Sequence, residues 1–297
     1  LWLLPGLGTA ASFQFCALLN VLVGLAARRW IQTETFAEPR LIAWMVRPVP
    51  ALAIVVFLAV PASSREWLLT LASTSTSRSA PRTLGEMWSI ARINRTQILE
   101  IAEDPSATVV VKGASDPGSK FRSLLVNSKV DASLTADLTT EQVLMHLGLL
   151  FHPAPSRVLV IGLGSGVTAA EALLYPIKAL DVVEISAGVA QVARHFAHKT
   201  GALFTDRRVR WVVDDARHFL QLQSGTYDSI SMEPSNPWVA GITNLYTQEF
   251  CRELRGRLAP GGLLTQWCHT YEIDDECVRL ILRTLSSVFP EVRTFRL

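Results

Sequence analysis

Three glycines, Gly162, Gly164 and Gly166, stand directly behind the short apolar run Val158 to Ile161. Glycines at that spacing let a chain leave a strand through positive φ angles and bring its backbone against a ligand. About 20 residues on, where a second strand of a nucleotide-binding unit ends, Glu184 closes the apolar run Ala179 to Val183. A carboxylate there can accept hydrogen bonds from both hydroxyls of a ribose. Two later runs, Val209 to Val213 and Tyr227 to Met232, end in Asp214-Asp215-Ala216 and in Glu233-Pro234-Ser235-Asn236-Pro237-Trp238. Strand ends that converge on one crevice can divide the work. The glycine turn passes against a nucleoside cofactor, Glu184 holds its ribose, and Asp215 with Ala216 accepts from the adenine amino group. Glu233 is left facing the reacting centre, where a carboxylate can take a proton from an ammonium nucleophile and stabilise positive charge. The third glycine comes early, which favours an S-adenosylmethionine-type cofactor over a dinucleotide, since no pyrophosphate has to be cradled.

The elements that must hold these groups can be read from the periodicity. Val158 to Ile161 is apolar throughout, as expected of a strand buried on both faces of a parallel sheet. Val167 to Leu174 reads as a helix whose free N–H groups face the ligand. Ala187 to His198 and Thr247 to Leu258 read as further helices, Pro260-Gly261-Gly262 as a turn, and Leu263 to Trp267 as another strand. Thr139 to Leu150 has helical spacing at Val143, Leu144, Leu147 and Leu150 and leads into the first strand. Upstream, Ala107 to Lys112 and Phe121 to Asn127 are β-rich runs around a Gly- and Pro-containing turn, which predicts a hairpin. Alternating strands and helices predict an α/β region with a mostly parallel sheet, whose ligands sit beyond the carboxyl ends of its strands. His195 and His198 lie three apart on one predicted helix, but no further ligands converge on them, so surface or packing roles are expected and no metal site.

The 297 residues are 49% hydrophobic and only 18% charged, with the apolar excess in the first sixty. Leu1 to Ala27 has no charged residue and ends at Arg28-Arg29-Trp30, which suits a membrane-spanning helix closed by interfacial anchors. Leu41 to Pro61 is a second, weaker span interrupted by Arg47, Pro48 and Pro50. The expected layout is a membrane segment over 1–61, a linker over 62–100, a small β-rich domain over 101–138 and a nucleoside-binding catalytic domain over 139–297. A chain that starts on Leu is expected to be a piece of something longer. Arginines between the two spans favour a cytoplasmic loop there, but cofactor supply places the catalytic domain itself in the cytoplasm, at an inner or plasma membrane. A net charge of +2 with no basic run excludes a nucleic-acid partner. Cys16, Cys251, Cys268 and Cys277 have no metal-ligand spacing and are expected as reduced thiols.

Several stretches together carry a family resemblance: Val-Leu-Val-Ile-Gly-Leu-Gly-Ser-Gly, Val-Val-Glu-Ile, Asp-Asp-Ala, Tyr-Asp-Ser-Ile-Ser-Met-Glu-Pro-Ser-Asn-Pro and Leu-Tyr-Thr-Gln-Glu-Phe. In order and spacing they resemble the spermidine synthase (polyamine aminopropyltransferase) family, most closely its bacterial membrane-fused members. Leu-Leu-Val-Asn-Ser-Lys-Val-Asp resembles the same family's product-strand motif. The resemblance implies a Rossmann-like, S-adenosylmethionine-dependent methyltransferase fold with a small N-terminal β-hairpin domain, preceded here by transmembrane helices. It implies decarboxylated S-adenosylmethionine as co-substrate, a small-molecule amine as acceptor, and a homodimer. Gly162, Gly164, Ser165, Gly166, Glu184, Ile185, Asp215 and Ala216 would bind the nucleoside, with Glu233 as catalytic base. Asp131 and Asn236 would bind the acceptor, and Trp238 could cover it as a lid.

The carry-over is uneven. Ser165 stands where the family has an aspartate for the cofactor's amine, and Glu233 is one methylene longer than the family's catalytic aspartate. Asn236 replaces a second aspartate, Asp131 a glutamine, and Thr140 with Glu141 a Tyr-His pair. Three functions follow: an aminopropyltransferase, which the resemblance favours; a methyltransferase using intact S-adenosylmethionine on an unknown acceptor; or a non-catalytic nucleoside-binding module.

Overall fold

A computed structural model describes residues 97–114, 119–237, 239, 241–271 and 273–296, with Phe15, Cys16, Leu19, Thr83 and Ser89 as isolated positions. Four strands come first: β1 (Ile98–Glu103), β2 (Thr108–Gly113), β3 (Arg122–Val126) and β4 (Lys129–Ser133), an antiparallel sheet in that order. The predicted hairpin is β2 with β3, and β1 and β4 extend it on either side. Asn127 and Ser128 join β3 to β4 with φ of 49° and 70°. Two successive positive angles are what a two-residue turn needs to follow the twist of its strands. The Asn127 side chain also accepts from the Thr108 N–H at 3.0 Å, which ties the turn to β2.

The second unit begins with α1 (Leu138–Leu150), β5 (Arg157–Ile161), α2 (Val167–Ala172) and β6 (Ala179–Glu184). It continues through α3 (Ala187–Val192), α4 (Ala197–Thr200), β7 (Val209–Val213), α5 (Ala216–Leu222) and β8 (Tyr227–Met232). The chain then runs through α6 (Gln248–Arg257), β9 (Leu258–Gln266) and α7 (Asp275–Val288). The sheet order is β7-β6-β5-β8-β9 with every neighbouring pair parallel. Winding reverses between β5 and β8, so the crevice beyond those two strands is the topological switch point where such sheets bind ligands.

Alternation along β5 explains both layers. Val158 and Val160 point to one face, where they meet Met145 and Leu149 of α1 and Ala169 of α2. Leu159 and Ile161 point to the other, against Phe219 and Leu220 of α5 and Phe250 and Leu254 of α6. The first of these cores runs on into the antiparallel sheet through Ala102, Val109, Val111, Leu124 and Ala132. Each of these large side chains removed from water contributes about 1.5–3 kcal/mol, so both layers and the small sheet are held by the same apolar burial.

Besides β1, β4 and α5, which the sequence reading lacks, the structure departs from the periodicity in three further places. The helix expected over Ala187 to His198 tightens to a 3₁₀ turn at Ala193–Phe196 before α4. Buried Ala193 and Phe196 are three apart, which suits three residues per turn. Strand β9 starts at Leu258, because Pro260-Gly261-Gly262 is looped out within it: Tyr227 faces Leu258, yet Ser229 faces Leu263. A side chain at Gly262 would meet the Ala259 and Tyr227 carbonyl oxygens at 2.9 Å, so only glycine fits there. Helix α7 has no counterpart in the sequence reading. Asp274 caps it by accepting from the Cys277 N–H at 2.8 Å, and Ile281 and Val288 are buried along it.

Both candidate membrane spans lie outside the described residues, apart from the isolated positions Phe15, Cys16 and Leu19. Among the described residues no helix is long and apolar enough to cross a membrane.

Candidate active site

The glycine turn follows β5 as the spacing requires. Gly162, Gly164 and Gly166 have φ of 89°, 53° and 84°. Their order of use is legible: Gly162 N–H continues the sheet to Val183 O at 2.9 Å, and Gly166 N–H closes the turn on Leu163 O at 2.8 Å. At Gly166 a Cβ would also press on Leu203 at 3.1 Å. Glu184, buried at the end of β6, accepts from the Leu163 N–H through Oε2 and from the Ser186 N–H through Oε1, each at 2.8 Å. These bonds fix the carboxylate beside the turn, and each oxygen keeps a lone pair for a ribose hydroxyl. Burial pushes Glu184 above the usual carboxylate range, with Asp104 adding to the shift and the backbone donors opposing it. Two hydroxyl donors from a bound ribose would relieve that cost.

Ile185 and Val213 are both 55% exposed at the ends of the adjacent strands β6 and β7. Two large apolar side chains held in water beside Glu184 make a seat for a flat base. Asp215 follows as the N-cap of α5, its Oδ1 accepting from Arg217 N–H at 2.9 Å and His218 N–H at 3.2 Å. The expected adenine contact is thus left to its other oxygen, while Ala216 is buried as the first residue of α5. Asp214, expected as a plain loop charge, pairs with His218 Nδ1 at 2.7 Å. His195 lies 2.5 Å from Glu100 Oε2, and His198 3.1 Å from the Lys120 carbonyl. Among the described residues no group of three or more His, Cys, Asp or Glu could hold a metal ion.

The crevice beyond β8 gathers acids. Glu233 Oε2 lies 3.1 Å from Thr168 Oγ1 on α2, and the same hydroxyl is 3.0 Å from the Glu141 carbonyl oxygen. Burial pushes Glu233 up to about 7, and the charges of Asp137 and Asp131 act in the same direction. Ser165, expected against the cofactor, is buried and donates to Glu141 Oε2 at 2.6 Å. Glu141, in the first turn of α1 and 3% exposed, is held well above the carboxylate range by burial and then by Glu233. Asp131 is brought across from β4 and accepts from Ser235 Oγ at 3.0 Å while paired with Lys129. Asn236 is completely buried, and neither its Oδ1 nor its Nδ2 has a hydrogen-bond partner. Trp238, the expected lid, lies outside the described residues.

Glu141, Thr168 and His269 were not singled out as site residues by the motifs. His269 Nδ1 is buried without a partner, and burial with the nearby Lys129 charge pushes the ring down to about 4. The signal for Glu141 was its place, with Thr140, where the family resemblance expects a Tyr-His pair. Nothing in the sequence marked Thr168 or His269.

A parallel sheet with a glycine turn at its switch point, Glu184 at the end of β6 and a buried acid pair beside it define an α/β domain of Rossmann-like build. Residues 138–296, more than half of the chain, match the spermine/spermidine synthase domain, and the chain belongs to that family. Polyamine aminopropyltransferase 2 of Hyperthermus butylicus is 29% identical over 177 residues, 59% of this chain and 58% of that protein. Putrescine N-methyltransferase 3 of Nicotiana tabacum is 33% identical over 150 residues, 50% of this chain and 39% of that protein. The crystal structure of spermidine synthase from Thermotoga maritima superposes with a TM-score of 0.58 at 21% identity, covering 66% of this chain and 65% of that one. The chain therefore spans less than two-thirds of the length of these relatives, and the structural likeness carries the fold.

Proposed function

We propose that this chain is an aminopropyltransferase that moves an aminopropyl group from decarboxylated S-adenosylmethionine to a small amine. The observation that carries the reading is Glu233, a carboxyl at the switch point whose proton affinity burial raises to about 7, the Thr168 hydroxyl opposing and the charges of Asp137 and Asp131 adding to the shift. A base poised there can take a proton from an alkylammonium and leave the free amine as nucleophile. The amine nitrogen then bonds to the carbon beside the sulfonium, and the carbon–sulfur bond breaks. Its electron pair stays on sulfur, giving neutral methylthioadenosine and a secondary ammonium that carries the positive charge, while the proton held by Glu233 passes to solvent on product release. Asp131, fixed by Lys129 and Ser235, offers the acceptor a second anionic contact.

A methyltransferase reading is supported by the putrescine N-methyltransferase relative. The two differ in the nucleoside they release. The full chain, extracted in detergent if an alkaline wash leaves it in the membrane pellet as its N-terminal hydropathy predicts, is incubated with each cofactor and a panel of diamines. Methylthioadenosine as product supports aminopropyl transfer, and Glu233→Gln is expected to slow it by about 10²–10⁴-fold. S-adenosylhomocysteine as product would replace that reading with methyl transfer, and binding without turnover would leave a nucleoside-binding module.

A further inference from the structure

Among the described residues no cation acts on the acid pair at the switch point. Glu141 rises from α1 and Glu233 from the end of β8, and the Thr168 hydroxyl touches both residues. The charges acting on Glu141 are those of Glu233 and Asp137, and those acting on Glu233 are Asp137 and Asp131, all negative. Lys129 is engaged by Asp131 and Ser235, one strand away. Buried like charges repel strongly where water is excluded, and such a pair is relieved either by a proton on one carboxyl or by a cation bound between them. A second, separate sign of a polar ligand lies on the loop that Glu233 opens. Asn236 is fully buried with neither end of its amide satisfied, a rare condition in a finished interior.

Geometry also separates the two acids. Glu141 Oε2 is fixed at 2.6 Å by Ser165, a residue of the glycine turn along which the nucleoside runs. Glu233 leads instead into the loop whose Ser235 bonds to Asp131. We propose that Glu141 holds the terminal ammonium of the cofactor's aminopropyl chain, leaving Glu233 for the acceptor, and that Glu141 makes the site refuse a cofactor bearing a carboxylate beside that ammonium. The proposal rests on the aminopropyltransferase reading and gives it a specificity residue. A carboxylate on the same carbon as the ammonium would be placed against Glu141 and Glu233, with no cation among the groups acting on them.

The test is calorimetric binding to the full chain of decarboxylated S-adenosylmethionine, S-adenosylmethionine and methylthioadenosine, for the wild type and Glu141→Gln. The wild type is expected to prefer the decarboxylated form over the intact one by tenfold or more, and E141Q to lose roughly tenfold to a hundredfold of that ratio. Methylthioadenosine carries no ammonium, so its affinity should stay within about twofold of wild type. An unchanged ratio in E141Q with methylthioadenosine binding retained would overturn the role of Glu141 alone. A wild type without preference for the decarboxylated form would overturn both this role and the aminopropyltransferase reading. If E141Q binds no methylthioadenosine, Ser165→Ala is used, which frees Glu141 Oε2 from its donor. A several-fold fall in the ratio then supports the assignment, and no fall overturns it.

Discussion

Thr168 has one hydroxyl proton and two oxygen neighbours, the Glu141 carbonyl and Glu233 Oε2, so it serves one of them fully at a time. Donated to Glu233 it favours the carboxylate; donated to the Glu141 carbonyl, which can only accept, it leaves the contact with Glu233 to a proton on the carboxyl. Burial, with the neighbouring acids, raises Glu233 from an ordinary 4.5 to about 7 against the lowering effect of the Thr168 hydroxyl. A carboxyl raised on folding favours the native state while it is protonated. Its contribution is complete below about 4.5 and is lost as pH rises through about 7. Glu233→Gln removes the titration. Urea unfolding of both proteins across this range should show the variant gaining about 1–3 kcal/mol on the wild type between acid and alkaline pH. A difference that does not move with pH would mean that Glu233 is ionised throughout.

At the level of elements, the turn between β3 and β4 makes a sharp case, because its two central residues both need the left-handed region. Asn tolerates that region, whereas Ser128 at φ 70° bears a steric cost. Ser128→Gly should therefore raise stability by about 0.5–1 kcal/mol, after the extra freedom of glycine in the unfolded chain is subtracted. Thermal melts would register this as a higher Tm, and a lower one would show that the Ser128 side chain contributes more than its backbone strain. The same contrast explains what could be read from the sequence. Strands β7 and β8 matched the predicted runs at both ends, and β5 and β6 to one residue, because β-branched and aromatic residues dominate β5 to β7 and Tyr227, Ile230 and Met232 mark β8. Strands β1 and β4 carry Glu100, Glu103, Lys129 and Asp131 among their apolar residues, since they edge a small sheet, and the runs were too short to stand out. Helix α7 was missed although Asp274, Asp275 and Glu276 mark its start and Val278, Ile281, Leu282, Leu285 and Val288 recur along it at helical spacing. The glycine turn and the strand-end acid Glu184 were legible as a local motif. The acid pair was not, since Glu141 and Glu233 are 92 positions apart and meet only when α1 lies over the switch point.

For the molecule as a whole, the question is how the antiparallel sheet bears on a site built by the parallel one. Asp104, just past β1, is the join. Its Oδ1 accepts from the Ser106 and Ala107 N–H groups at 2.6 and 3.0 Å. Its Oδ2 accepts from Ser186 Oγ at 2.6 Å and from the Gly188 N–H at 2.7 Å. Ser186 caps α3 and its N–H holds Glu184, so the acid proposed to bind the ribose is positioned through a residue of the small antiparallel unit. Burial works against the Asp104 charge, but the four donors outweigh it and keep the carboxyl below its usual range. Asp104→Ala leaves those donors without an acceptor and should cost about 2–4 kcal/mol. Because Ser186 is then free to turn, methylthioadenosine should also bind several-fold more weakly than to wild type. Glu100→Ala is the contrast: it removes contacts to Arg194 and His195 that span the same two units, yet Arg194 is 62% exposed. Such a surface pair is worth about 0–1 kcal/mol, and its loss should leave nucleoside affinity unchanged. If calorimetry shows both variants binding methylthioadenosine like the wild type, the small sheet braces the fold without positioning Glu184. If only Asp104→Ala weakens it, the two sheets share the work of holding the ribose.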